Sequence, residues 1–123
     1  MTKVVVRPAS AQDLDAFSDL ANKPTTRAWC AEINGRIVGL GGIAAYNGRW
    51  YAFVDLLPEI RPHKMTIARA AARFLDAARR DGVKFIYAEV SPREPGALRW
   101  LMRLGFRVDS RSNYYRWSAD ARL

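Results

Sequence analysis

Residues 53–75 read FVDLLPEIRPHKMTIARAAARFL. Phe53-Val54-Asp55-Leu56-Leu57 is an apolar run rich in β-formers, and it stops at Pro58. A charged joint from Glu59 to Lys64 follows. An alanine-rich helical pattern then runs to about Arg80. The stretch predicts a strand that passes through a short cationic turn into the start of a helix. Helix starts carry amides without intrahelical partners and the positive end of the dipole, which together favour an anion. The joint is therefore expected to hold a phosphate-bearing ligand, with the remaining elements building its walls.

Upstream of this stretch lie two hairpin signals. Asn34-Gly35 separates Trp29–Ile33 from Arg36–Leu40, and Asn47-Gly48 separates Ile43–Tyr46 from Arg49–Val54. Asn-Gly favours the type I′ turn of a two-residue hairpin, so three strands, about 27–33, 36–46 and 49–57, form an antiparallel meander. Gly39, Gly41 and Gly42 fall inside the middle strand, where glycine marks a bulge or a close backbone approach. Before the meander, Lys3–Pro8 reads as a β-branched strand. Ser10 with Asp13 three residues on reads as a capping box for a helix reaching Asn22.

Downstream, Ile67, Ala68, Ala71, Phe74, Leu75 and Ala78 mark the buried face of the long helix, and Arg69, Arg73 and Arg80 an outer stripe. Asp81-Gly82 closes the helix. Lys84–Val90 (KFIYAEV) is a further strand, expected to run parallel to the third meander strand because a helix connects them. Ser91 and Glu94 form a second capping box, for a short helix over roughly Pro95–Leu104 that ends at Gly105. Phe106–Asp109 and Asn113–Trp117 predict a terminal hairpin. The order is β-α-β-β-β-α-β-α-β-β: an α/β (α+β) mixed sheet carrying helices, in a single domain over 1–123.

Composition narrows the function classes. The chain of 123 residues has a formal net charge of +8. Residues 1–60 hold six basic and six acidic side chains, and residues 61–123 hold fourteen basic and six acidic. The charged half attracts an anion: a phosphate ligand, a nucleic acid or an acidic protein. A solvated arginine-rich surface is the plainer account of many of these side chains. With one cysteine, Cys30, no internal disulfide forms. The sequence shows neither an 18-residue apolar run nor a signal-peptide pattern, and a soluble cytoplasmic protein is expected. Nor is there a metal-ligand cluster, a Ser-His-Asp set or a P-loop motif.

Four stretches resemble the GCN5-related N-acetyltransferase (GNAT) family, and the likeness spans nearly the whole chain. Val5-Val6-Arg7-Pro8-Ala9-Ser10 through Leu14 resembles the family's first strand and helix. Asn34-Gly35-Arg36-Ile37-Val38-Gly39 is similar to its NGRIVG hairpin. Leu56–Thr66 is similar to its V-x-P-x-x-R-G-x-G-x-G pyrophosphate loop, and Ala97–Phe106 (ALRWLMRLGF) to its A-x-x-L-Y-x-x-x-G-F segment. The element order matches as well.

The resemblance implies an acyl-CoA N-acyltransferase fold and an acetyl-CoA-dependent N-acetyltransferase acting on an unidentified primary amine. It places the coenzyme A thioester against Leu56, Leu57, Arg61, His63, Lys64, Met65 and Thr66. Backbone amides around Leu56 and Leu57 face the thioester oxygen, and a splay between the third meander strand and the Phe85–Val90 strand takes the pantetheine arm. Asp55 and Glu89, the carboxylates of those two strands, are the candidate general bases, acting directly or through a water; salt-bridged surface carboxylates are the alternative.

Several residues depart from the family pattern. Where the family's loop reads R-x-x-G-x-G/A, this chain reads Arg61-Pro62-His63-Lys64-Met65-Thr66 and has neither of those two glycines, which let the backbone approach the pyrophosphate. Lys64 as a point charge and the Thr66 hydroxyl as a donor are the substitutes. Leu101 stands where the family commonly has the tyrosine that protonates the departing thiolate, and Glu94 where it often has asparagine. The usual second helix before the meander is missing. A tyrosine of the last strand, Tyr114 or Tyr115, is a candidate replacement acid. His63, the only histidine, either helps hold phosphate or is simply exposed. Cys30 reads as a buried small apolar residue.

Two other functions compete with the enzyme reading: a catalytically impaired GNAT-like binding or assembly module, and a basic nucleic-acid binder with aromatics interleaved among its arginines. Trp100 and Met102 are packing or interface residues, and a homodimer is compatible with the sequence.

Overall fold

The computed structural model describes residues 3–13, 25–89 and 96–120. Its strands are β1 (Val4–Pro8), β2 (Thr26–Ile33), β3 (Arg36–Tyr46), β4 (Arg49–Leu56), β5 (Phe85–Ala88), β6 (Arg107–Asp109) and β7 (Tyr114–Ser118). Its helices are α1 (Lys64–Arg80) and α2 (Ala97–Arg103). The seven strands form one mixed sheet in the order β1-β2-β3-β4-β5-β7-β6.

The meander is as the turns predict. Both residues of each Asn-Gly pair have positive φ: 52° and 76° at Asn34 and Gly35, and 49° and 79° at Asn47 and Gly48. That is the type I′ pattern, whose twist matches the flanking strands. The register between β2 and β3 shifts at Ala31/Glu32, so Val38 is the extra residue of a bulge. The mid-strand glycines have steric causes. The Trp29 indole lies where a Gly41 Cβ would project, and the Arg27 carbonyl lies where a Gly42 Cβ would project.

The capping box at the first helix is formed. The Ser10 amide donates to Asp13 Oδ2 at 2.7 Å, and the Asp13 amide donates to Ser10 Oγ at 3.2 Å. A helical turn begins at Ala11, while the rest of the helix expected to Asn22 lies outside the described residues, as does the second capping box at Ser91 and Glu94. Arg7 lies between Asp13, at 2.8 Å, and Glu32, at 2.8 Å, and ties β1 to the helix start and to β2. The Arg7 hydrogen bonds, with those from Ser10, hold the Asp13 carboxyl well below the usual carboxylate range.

The charged joint is itself structured. Pro58–His63 is a 3₁₀ segment with Pro62 inside it, leading directly into α1. It is anchored by Ile60, 3% exposed, and by an ion pair between Arg36 and Glu59 at 2.8 Å. A periodicity argument does not separate such a tight turn from a loop, because it lasts too few residues to show a repeat.

Helix α1 buries Ile67, Ala70, Ala71, Leu75 and Ala78, and leaves Arg69, Arg73 and Arg80 exposed. It closes with the Gly82 amide donating to the Arg79 carbonyl and the Val83 amide to the Ala78 carbonyl. Strand β5 then runs parallel to β4, as the crossover requires, and β7 pairs antiparallel between β5 and β6.

Two core clusters fill the helix side of the sheet. Ile43, Ile86, Ala88 and Trp117 pack with Leu75, Ala78, Leu101 and Phe106. Trp29, Ala31 and Val38 pack with Ile60 and Ile67. On the opposite face, Cys30 and Leu40 pack with Ala9, Ala28, Ile37 and Phe53. Among the described residues, no helix is long and apolar enough to cross a membrane.

Candidate functional site

The site forms where β4 and β5 separate. Tyr51 opposite Tyr87 is the one residue pair in register between them among the described residues. Strand β4 continues five residues further, to Leu56, held on its other edge by β3 through Leu40↔Asp55 and Gly39↔Leu56. Its last turn of strand thus has a bare edge on the β5 side.

The amides on that edge follow from alternation. The Leu57 amide donates to the Val38 carbonyl at 2.8 Å, and the Leu57 carbonyl accepts from Ile60 at 3.0 Å. Leu57 is therefore committed to β3 and the 3₁₀ segment through its backbone, and its side chain packs on the helix-side core. Successive strand amides point to opposite edges, so the Leu56 amide faces the gap. The Leu56 side chain lies over Gly39, where a Cβ would come within 2.9 Å of Leu56 Cδ2.

The cationic joint stands at the end of this bare edge. Helix α1 starts at Lys64 with no side-chain cap from His63 and no acidic residue in its first turn. Arg61, Pro62, Lys64 and Met65 are exposed, while His63 and Thr66 are half-buried. Met65 is 62% exposed, so its side chain extends into solvent instead of packing across the helix start. Glu59, the one acid of the joint, is neutralised by Arg36. A helix start with no side-chain cap, no acid in its first turn and the exposed cations Arg61 and Lys64 beside it is suited to a polyanion.

Asp55 and Glu89 are brought to one side. Trp50 and Ala52 of β4 pack toward the helix-side core, as do Ile86 and Ala88 of β5. Tyr51, Phe53 and Asp55 therefore project from the opposite face, and continued alternation past Ala88 puts Glu89 on the face of Tyr87. Both carboxylates are exposed, and neither forms an ion pair with a described residue.

The other singled-out residues lie elsewhere. Leu101, 8% exposed, is in the core beneath α2 with Leu75, Ile86 and Phe106. Trp100 packs against both helix-side clusters, and Met102 is 39% exposed. Cys30 is fully buried, and burial pushes its thiol pKa up, the reverse of what a thiolate nucleophile needs. Tyr115 packs on the helix-side core, whereas Tyr114 projects from the opposite face beside Tyr51 and Tyr87. The two latter tyrosines carry no signal in the sequence, because their meeting depends on the β4–β5 register.

The acetyltransferase (GNAT) family model matches residues 3–106, and the chain belongs to that family. No sequence relative was found among curated proteins. The fold is similar to an acetyltransferase of the GNAT family from Staphylococcus aureus Mu50 (TM-score 0.73, 12% identity, 96% of this chain and 100% of that one). It is also similar to the ribosomal-protein-S18-alanine N-acetyltransferase from Escherichia coli (0.70, 12%, 98% and 97%). A third similar structure is yncA from Salmonella typhimurium with its cofactor acetyl-CoA (0.70, 15%, 97% and 95%). At these identities the likeness establishes the fold.

Proposed function

We propose that this chain is an acetyl-CoA-dependent N-acetyltransferase acting on a primary amine. One observation carries the reading: the bare β4 edge past Tyr51 and Tyr87 ends at a helix start that has cations beside it and neither a side-chain cap nor an acid in its first turn. A family member with acetyl-CoA bound, from Salmonella typhimurium, has the same fold.

The residues present fit acetyl-CoA. Arg61, Lys64, His63 and Thr66, with the first amides of α1, hold the pyrophosphate. Lys64 and Thr66 supply by charge and hydroxyl what the missing glycines supply by closeness. Met65 lines the outer rim, and the backbone of Leu56 and Leu57 borders the pantetheine slot. When bound, the coenzyme supplies an activated acetyl thioester. The Leu56 amide faces the gap and donates to the carbonyl oxygen as negative charge gathers there. Asp55 or Glu89 takes the proton from the incoming ammonium, directly or through a water.

The test is to titrate the full chain with acetyl-CoA while following its melting temperature. A ligand at about one hundred times its Kd adds about 2.7 kcal/mol to the folded state, which raises the midpoint measurably. No shift at millimolar acetyl-CoA overturns the proposal. A shift without thiol release in the presence of any amine describes a binding module instead of an enzyme.

A further inference from the structure

We infer that the acceptor is a primary amine carried on an aromatic body with an anionic group at its far end. This rests on the acetyl-transfer reading above and names the substrate class of that site. It comes from the face of the sheet turned away from α1 and α2.

Three tyrosines from three strands meet on that face. Tyr51 of β4 lies 5.9 Å from Tyr87 of β5 and 5.6 Å from Tyr114 of β7, ring centre to ring centre, and Tyr87 and Tyr114 are 6.5 Å apart. None of the three joins the core under the helices, although Trp50, Ala52, Ile86, Ala88 and Tyr115, their sequence neighbours, all do. Tyr51 and Tyr114 remain half-buried, leaving ring surface at the closed end of the β4–β5 gap.

Charge is ordered around these rings. The Arg49 guanidinium lies 4.7 Å over the Tyr87 ring, and the Arg116 guanidinium 4.8 Å over Phe85. Neither makes an ion pair with a described residue, so the guanidinium edges remain open to an anion. Beyond the rings, at the open end of the gap, stand Asp55 and Glu89. Cation, aromatic floor and carboxylate thus succeed one another along one face. Tyr87 and Glu89 are two residues apart, about 7 Å at the usual rise of a strand. A ligand that sets an anion at Arg49 and an ammonium at Glu89 therefore spans a single aromatic ring.

The reaction balances on this arrangement. The ammonium gives one proton to a carboxylate and on to water. The free amine forms its N–C bond to the acetyl carbon as the C–S bond breaks, and the second amine proton leaves with the departing sulfur as the coenzyme A thiol.

The experiment compares 4-(aminomethyl)benzoate, benzylamine and n-butylamine as acceptors for the full chain with acetyl-CoA, read as thiol release. The expected kcat/KM falls in that order, by about tenfold at each step, since an aromatic contact and a charge-assisted hydrogen bond are each worth about that factor. Arg49 is exposed, so Arg49→Gln should fold normally; it should cost 4-(aminomethyl)benzoate about tenfold more than it costs benzylamine. Tyr114→Leu should cost both aryl amines more than butylamine. Butylamine used as well as benzylamine overturns the inference, as does an Arg49→Gln loss equal for both aryl amines. Acetyl-CoA raising the melting temperature with none of the three amines consumed also overturns it. Absence of any acetyl-CoA shift takes down the transferase reading itself, and this inference with it.

Discussion

Tyr51 and Tyr87 face each other across β4 and β5, ring centres 5.9 Å apart, at the point beyond which the two strands part. The pair fixes where the seam ends and the gap begins. On the helix side of the seam, Ala52 and Ala88 pack into the core; on the other side, both rings meet Tyr114 edge to face. Closing the lower end of the sheet and floor of the site is thus done by the same side chains. Tyr87, 9% exposed, carries most of that duty.

Tyr87→Ala should destabilise the fold by about 3 kcal/mol, the usual cost of truncating a buried aromatic. Urea denaturation followed by tryptophan fluorescence measures it. A loss under about 1 kcal/mol would show that the seam does not depend on the ring.

Arg61→Ala and Lys64→Ala should each weaken acetyl-CoA binding, and together should abolish the melting shift. Each removes a charge from the helix start, where charged hydrogen bonds are worth about 1.5–3 kcal/mol. Both side chains are exposed, so the unliganded melting temperature should stay near the parent value. An undiminished shift in the double variant would move the coenzyme site elsewhere.

Leu101→Tyr should not restore a lost acid. The side chain at this position points into the core with Leu75, Ile86 and Phe106. The extra volume and buried hydroxyl should cost about 1–3 kcal/mol, with no gain in the rate of thiol release. A faster rate at undiminished stability would show that the position reaches the gap.

Asp13 predicts the acid limb. Its folded pKa is depressed, chiefly by the hydrogen bonds from Arg7. Between the folded value and the unfolded value of about 3.9, the unfolded chain binds more protons. The stabilisation is therefore full above about pH 4 and is lost as pH falls toward the folded pKa. Asp13→Asn should lower the melting temperature at pH 7 but shrink the drop between pH 7 and pH 3. An unchanged drop would place the acid sensitivity on other carboxylates.

Cys30 should be silent toward a thiol reagent such as dithionitrobenzoate in the native protein, and react once on unfolding in guanidinium, since it is fully buried with its pKa raised. Fast reaction of the native chain would show that the strand opens locally around it.

Much of the molecule is legible from its residues in line. Asn34-Gly35 and Asn47-Gly48 determine the meander because a two-residue turn needs positive φ at both positions, and that is a local property. The α1 stripe of Ile67, Ala71, Leu75 and Ala78 determines which face is buried, and Asp81-Gly82 where the helix stops, again from neighbours along the chain. The cations Arg61, His63 and Lys64 at the strand–helix joint are likewise read directly, since four residues suffice to hold them together. What the tertiary structure decided is everything that depends on register between distant segments. Only the β4–β5 pairing sets Tyr51 against Tyr87, and only the β5–β7 pairing brings Tyr114 to them, because a shift of one residue would turn each ring to the opposite face. The Asn47-Gly48 turn already sets which β4 amides face β3, and the bond from Leu57 to Val38 continues that alternation, but only the end of the β4–β5 pairing at Tyr51 and Tyr87 leaves the Leu56 amide facing a gap.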